Sequence, residues 1–374
     1  MAKGRKLAGR TKSRRTVNAR ITAPGRHENR PAHSGRPVPR GDLLQRVPYR
    51  GPVPHAACPG PRTTTRDPGR NAMTQRILDL DREELASLRG RELTEAVAAA
   101  EGRTMVAEVF AERAALSPHP GGDAGVHNIE LVSAFGADIV ILNLIERAWD
   151  GECLRLPGLG TFTSFADLAS YVGRPIGVNL EPGDVPEIRR AGPEQARRLV
   201  DMGAALLCLT ANPGTGGSFD GLARVTGELR RALGDDVALW SGKMHHAGHP
   251  ERVTAGRLTA LVDAGADGVV LPLPGTLPGL TKERAAEAVA AVQDAGAVVM
   301  GSIGTSQEGA HADIVPQLAL AAKEIGVDAH HFGDAFLPGM CDPELLYGYS
   351  VAVRGRRHTW NRMALNGRGN RIPA

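Results

Sequence analysis

Gly265-Ala266-Asp267-Gly268-Val269-Val270-Leu271-Pro272-Leu273 turns a helical pattern into an apolar run within three residues. Residues 255–264, just before it, carry apolar side chains at helical spacing. The glycine sits where a helix ends in the left-handed conformation, which lacks a Cβ penalty only for glycine. The run that follows is almost continuously apolar, as expected of a parallel strand covered on both faces. The same joint recurs at Gly136-Ala137-Asp138, and in shorter form at Gly203-Ala204 and Gly296-Ala297, with Gly326 ahead of the last run. A repeated helix-to-strand joint implies a repeated βα unit.

Working outward, the spacing predicts strands over residues 104–110, 138–144, 175–180, 206–210, 237–241, 268–273, 298–302 and 329–332. Between them it predicts helices over 192–203, 221–233, 255–264, 282–295 and 314–325, with a last one over 343–364. Eight such units in about 300 residues predict an α/β fold, a single (β/α)8 TIM barrel. An open doubly wound sheet is the alternative, but the even spacing favours closure. The amphipathic segment 83–100 is expected to form an N-terminal floor helix, and the basic stretch 354–371 a frayed surface end.

Charge divides the chain into unlike parts. The whole sequence of 374 residues has a net charge of +4. Residues 1–72 contribute +14 and residues 73–374 contribute −10. The first part is rich in Arg, Pro and Gly without periodicity, which predicts a disordered basic tail. Met73 begins well-patterned sequence, so an alternative start there is expected. The organisation read from the sequence is therefore a tail (1–72), a barrel (73–364) and a short C-terminal tail (365–374). An acidic folded part with few aromatics argues against a nucleic-acid partner. No apolar run is long enough to span a bilayer, so no membrane partner is expected. Cys58, Cys153, Cys208 and Cys341 have no Cys-x-x-Cys spacing, and a cytoplasmic location is expected.

In a barrel of this kind chemistry is built where the strands end. Candidate catalytic residues are Lys243, His245, Glu181 and Glu108. Lys243 is one of three lysines after residue 73, and the other two fall on amphipathic helices. A lysine ending a buried strand must be paired or used, for example in a Schiff base. Candidate substrate-binding residues are Asn143, Asn179, Asn212, Ser302, Gly304, Thr305, His330 and Asp334. Strand alternation allows only one of His330 and His331 to face the interior. It also predicts that Lys243 and His245 share a face.

Two glycine-rich loops, residues 212–218 and 301–309, could gather backbone N–H groups around an anion, the second being better placed for phosphate. Glu108, Glu181, His245 and Asp334 are candidate ligands for a divalent metal such as Mg2+, although no compact ligand motif demands one. The partner these residues imply is a small anionic metabolite, with a homo-oligomer open.

Several stretches carry a resemblance: Glu101-Gly102-Arg103-Thr104, Ala134-Phe135-Gly136-Ala137-Asp138, Pro175-Ile176-Gly177-Val178-Asn179-Leu180-Glu181-Pro182, Asn212-Pro213-Gly214-Thr215-Gly216 and Gly242-Lys243-Met244-His245. From about residue 76 onward the chain resembles a bacterial family of (β/α)8 proteins, a domain of unknown function. That family is distantly similar to phosphoenolpyruvate mutase and isocitrate lyase barrels. The resemblance implies lyase- or mutase-type chemistry on small carboxylates with Mg2+. The acidic Mg-binding segment and the cysteine-bearing loop of those enzymes do not occur here.

The family also bears the label haloacid dehalogenase-like hydrolase, and Asp79-Leu80-Asp81 is similar to that superfamily's Asp-x-Asp. Asp81, however, directly precedes a helix and suits an N-cap. The expectation is a barrel enzyme acting on a small carboxylate or phosphorylated metabolite. The alternatives are a metal-assisted hydrolase and a non-catalytic metabolite-binding barrel.

Overall fold

The computed structural model describes residues 75–116, 125–211, 214–246 and 250–365. The expectations for residues 1–72, for the start at Met73, for residues 366–374 and for Asn212 lie outside the described residues.

Eight parallel strands form a closed barrel. They are β1 (Thr104–Phe110), β2 (Ile139–Asn143), β3 (Ile176–Leu180), β4 (Leu206–Leu209), β5 (Ala238–Gly242), β6 (Gly268–Pro272), β7 (Val298–Ser302) and β8 (Ala329–Phe332). Each pairs with its neighbours in sequence, and β1 pairs with both β2 and β8 to close the ring. The expected strands match these within a residue or two at each end.

The helices are α1 (Arg82–Ser87), α2 (Gly90–Ala98), α3 (Asn128–Ala134), α4 (Phe165–Val172), α5 (Pro193–Asp201), α6 (Phe219–Leu233), α7 (Ala255–Asp263), α8 (Lys282–Asp294), α9 (Gly304–Glu308), α10 (Val315–Ile325) and α11 (Pro343–Ala364). Two short antiparallel hairpins, Ala114–Leu116 with Val126–His127 and Leu154–Leu156 with Gly160–Phe162, were not foreseen.

The floor is two helices rather than one. The chain breaks after Ser87 because Gly90 takes φ 54 and its N–H donates to Ala205 O at 3.1 Å. Asp81 caps α1, accepting from the N–H of Glu83 and Glu84 at 2.9 Å each, while Glu84 closes a capping box. Asp79 lies in a short 3-10 turn, paired with Arg76. The dehalogenase-like motif is thus a helix start, not a nucleophile at the end of a strand.

Apolar packing has two shells. Val106, Ile139, Ile141, Cys208, Trp240, Val270 and Met300 fill the barrel with Leu93 and Val97 of the floor. Their strand neighbours, such as Val140, Val178 and Leu239, face the helices.

The Gly-x-Asp joint, with Ala or Val in the middle, has a mechanical role. Asp138, just ahead of β2, accepts from Met105 N of β1 at 2.7 Å. Asp267, ahead of β6, accepts from Leu239 N of β5 at 2.8 Å, and Asp328, ahead of β8, accepts from Val299 N of β7 at 2.7 Å. Each carboxylate locks one strand to the strand before it.

Asp138 is buried completely and held by two guanidinium groups of α11. Arg354 Nη1 and Arg362 Nε each lie 2.6 Å from one of its oxygens. The segment expected to fray from residue 354 is therefore helical as far as Ala364, with Arg354 and Arg362 buried as a clasp. Its basic residues looked like a surface end because their partner lies more than 200 residues away in sequence.

Candidate functional site

Counting from the three locking aspartates gives the side-chain directions. The first, third and fifth residues after each one face the barrel interior, which places Ile139, Ile141 and Asn143 inward on β2 and Val270 inward on β6. On β8 the same count makes Ala329 and His331 inward, and His330 outward.

The structure agrees. His330 sits in the helix layer, with Nδ1 3.0 Å from Tyr349 Oη and Nε2 2.9 Å from Gly102 O. It is a structural histidine, so the expectation that it binds substrate is corrected. His331 takes the interior position, and the aspartate count is the signal that could have found it.

His331 lies at the centre of a buried hydrogen-bonded line. Its Nε2 is 3.1 Å from Glu108 Oε2, and its Nδ1 is 3.1 Å from Ser302 Oγ. Ser302 Oγ also accepts from Gly304 N at 3.3 Å. Burial pushes Glu108 up to about 8, helped by the Glu181 carboxylate. Burial also pushes His331 down to about 4, against the pull of Glu308 and Asp334. The pair is best described as a neutral carboxylic acid and a neutral imidazole rather than an ion pair, because neither charge is solvated there. The other oxygen of Glu108, Oε1, is buried and has no hydrogen-bond partner among the described residues.

Two further acids crowd this pair. Asp334 is pushed up to about 7 by burial, then by Glu108. Glu308, at the end of α9, is pushed up to about 7, mainly by burial, although its Oε2 accepts from Ala335 N at 2.9 Å. Glu308 was not foreseen as a site residue. The matching signal is Gly333, where a Cβ would lie 2.2 Å from Glu308 Oε1, so only glycine admits the carboxyl.

A polar ladder forms the other wall. Asn143 Nδ2 donates to Asp334 Oδ2 at 2.8 Å, Asn179 Nδ2 donates to Asn143 Oδ1 at 3.2 Å, and Thr210 Oγ1 donates to Asn179 Oδ1 at 2.7 Å. Leu144, directly after β2, adopts φ 51 and ψ 43 and donates its N–H to Asn143 Oδ1 at 2.9 Å. That rare conformation for a branched residue fixes the Asn143 amide.

Other expected residues are placed differently. Lys243 follows the end of β5, and its Nζ lies 2.9 Å from Glu251 Oε2 and 3.1 Å from Gly217 O. It braces the loops after β4 and β5, with the Phe219 ring beside it. The expectation that Lys243 and His245 share a strand face fails because the strand ends at Gly242; Met244 packs towards the barrel interior. His245 is half-buried and held below its usual range by burial, then by Lys243.

Glu181 Oε1 lies 3.2 Å from Arg189 Nε, and Arg189 Nη1 lies 3.1 Å from Glu146 Oε1. The loop expected to hold phosphate becomes α9, containing Gly304 and Thr305, and the Ser302 hydroxyl is engaged by His331. Of the four candidate metal ligands, Glu108 acts on Asp334, and Glu181 acts on both Glu108 and His245. Among the described residues, however, no three His, Cys, Asp or Glu side chains converge to hold an ion.

No helix among the described residues is long and apolar enough to cross a membrane. Solved structures with similar folds include 2,3-dimethylmalate lyase, a PEP mutase/isocitrate lyase superfamily member. It is 17% identical, with 63% of this chain and 78% of that one covered and a TM-score of 0.39. An archaeal fructose 1,6-bisphosphate aldolase is 16% identical, covering 69% and 96%, with a TM-score of 0.43. Thiamine phosphate pyrophosphorylase from Pyrococcus furiosus is 9% identical, covering 68% and 96%, with a TM-score of 0.41. At these values the likeness carries no argument about activity.

No curated protein matches the chain. One family profile does, over residues 78–368, which is most of the barrel and its floor. The chain belongs to the family described as Domain of unknown function (DUF7916).

Proposed function

We propose that the chain is a lyase- or isomerase-type barrel enzyme that moves a proton on a small carboxylate bound at the mouth of the barrel. One observation carries this reading: Glu108 has one oxygen on His331 and the other buried without a hydrogen-bond partner among the described residues. A desolvated carboxyl that titrates near neutrality suits a general acid or base.

Glu108 would exchange the proton through Oε1. His331 would hold or relay that proton through Nε2, its ring fixed by Ser302. Asp334, anchored by Asn143, would donate a hydrogen bond from its protonated form to a substrate oxygen that gains negative charge. A carboxylic acid kept neutral by its surroundings can do this at pH 7. The setting we propose is the cytoplasm, in keeping with Cys208 and Cys341 as buried thiols.

The test is solvent exchange. A panel of three- to six-carbon 2-oxo and 2-hydroxy carboxylates is incubated with the protein in D2O and followed by proton NMR. At least one member should lose its α or β C–H signal, and Glu108→Gln should slow that loss by about 10²–10⁴-fold. If no member of the panel exchanges, or if Glu108→Gln exchanges at the wild-type rate, the reading is wrong.

A further inference from the structure

The floor side of the barrel carries a cavity that shares no lining residue with the site just described. Its volume is ≈ 570 Å³, within the range of small-molecule sites. Arg103 enters it just ahead of β1, Lys323 from the last turn of α10, and Arg76 from the segment before α1. Arg357 and His358 complete the wall. They project from α11 just after Gly355, whose φ of 73 and ψ of 165 interrupt the helix.

The charge is unbalanced. Asp79 pairs with Arg76 and Glu101 with Arg103, at 2.7 Å each. Among the described residues no carboxylate forms an ion pair with Lys323, Arg357 or His358; Lys323 Nζ donates only to Val353 O, at 3.0 Å. Arg354 borders the cavity but is committed to Asp138. His358 is held below its usual range by burial, then by Arg103, Arg357, Arg354 and Arg76 in turn. Five cationic side chains, Arg76, Arg103, Lys323, Arg354 and Arg357, thus line the cavity against two acids, Asp79 and Glu101. The cavity lies on a chain whose residues from 73 onward carry −10.

We propose that this floor cavity binds a small, multiply charged phosphate anion of the pyrophosphate or bisphosphate class. Guanidinium forks match phosphate oxygens in pairs, and an ammonium adds a point charge. Among the described residues, the only apolar side chains in the lining are Leu78 and Val353, and no Phe, Tyr or Trp ring is present to stack on a base. The lining therefore selects the phosphate groups and not a nucleobase. The site shares no residue with the proposed proton-transfer centre.

The test uses inorganic pyrophosphate and the full chain in titration calorimetry at fixed ionic strength. Wild type should show saturable binding at one site. Arg357→Glu changes an exposed side chain and should weaken binding at least about tenfold. Glu108→Gln should bind as wild type does. Three outcomes would overturn the assignment. Wild type could fail to bind. Arg357→Glu could bind normally, placing the anion elsewhere, for example on the basic residues 1–72. Glu108→Gln could lose binding, placing the anion in the well.

Discussion

Glu108, Asp334 and Glu308 hold protons that carboxyls in water would have lost. Their titration sets a sign for stability. Each has a folded-state value above that of an unfolded carboxyl, about 7 to 8. The folded state therefore binds more protons, and the stability linked to them is lost as pH rises through 7 and 8. His331 has the opposite sense: its folded value of about 4 lies below the unfolded one, so its contribution is lost as pH falls from 6.5 towards 4.

Glu108→Gln removes one titrating acid while keeping a partner for His331. The melting temperature of that variant should match wild type near pH 5 and exceed it at pH 9. Each pH unit of displacement corresponds to about 1.4 kcal/mol, so a gain of about 1–4 kcal/mol is expected at pH 9. Parallel melting curves for the two proteins across that range would contradict the protonation described here.

Gly333→Ala should act through geometry, by displacing Glu308 from its hydrogen bond to Ala335. Exchange activity should fall by about tenfold or more, with a stability loss of about 1–3 kcal/mol from the misplaced buried acid. Normal activity in that variant would show that Glu308 has no part in the reaction.

At this scale the sequence was only partly readable. Glu108, Asn143, Asn179, Ser302 and Asp334 lie at or near strand ends, so position alone nominates them as candidates. His331 was masked by its neighbour, and the pairing of Lys243 with Glu251 was not readable because Glu251 lies in the following loop. Glu308 was read only as part of a glycine-rich loop, since nothing local shows that the loop curls into a helix ending under Gly333.

Among the elements, α11 contributes most beyond its own length. Its Arg354 and Arg362 converge on Asp138 at the base of β2, where burial makes any unpaired charge costly. Asp138→Ala should leave both guanidinium groups uncompensated and lose the hydrogen bond to Met105. A loss of about 3–5 kcal/mol is expected in urea unfolding. A loss below about 1 kcal/mol would mean that water reaches the site and that the clasp is weak.

The helix and strand periods made the elements themselves readable, as the near coincidence of all eight strands shows. The clasp was not readable, because burial of a basic helix depends on an acid far away in the chain. The floor break at Gly90 escaped for a related reason: its cause is the carbonyl of Ala205, just ahead of β4 and far away in the chain.

At the scale of the whole molecule, closure depends on β1, which joins β2 on one side and β8 on the other. A chain ending at residue 353 would keep every strand but lose both clasp arginines. It should fail to fold or should melt at least about 10 °C lower. Changing the exposed Trp360 to Ser should leave stability within about 0.5 kcal/mol of wild type. If the shortened chain melts like the whole one, closure of the ring alone sustains the fold.

The three tryptophans divide the molecule optically. Trp240 stands inside the barrel beneath the well, Trp149 is buried against Phe165, and Trp360 lies exposed on α11 beside Asn361 of the floor cavity. Two buried indoles and one wetted indole should emit at separable wavelengths. The native protein thus carries its own reporters: the blue component would follow a rearrangement of the buried core, and the red component an anion settling beside α11.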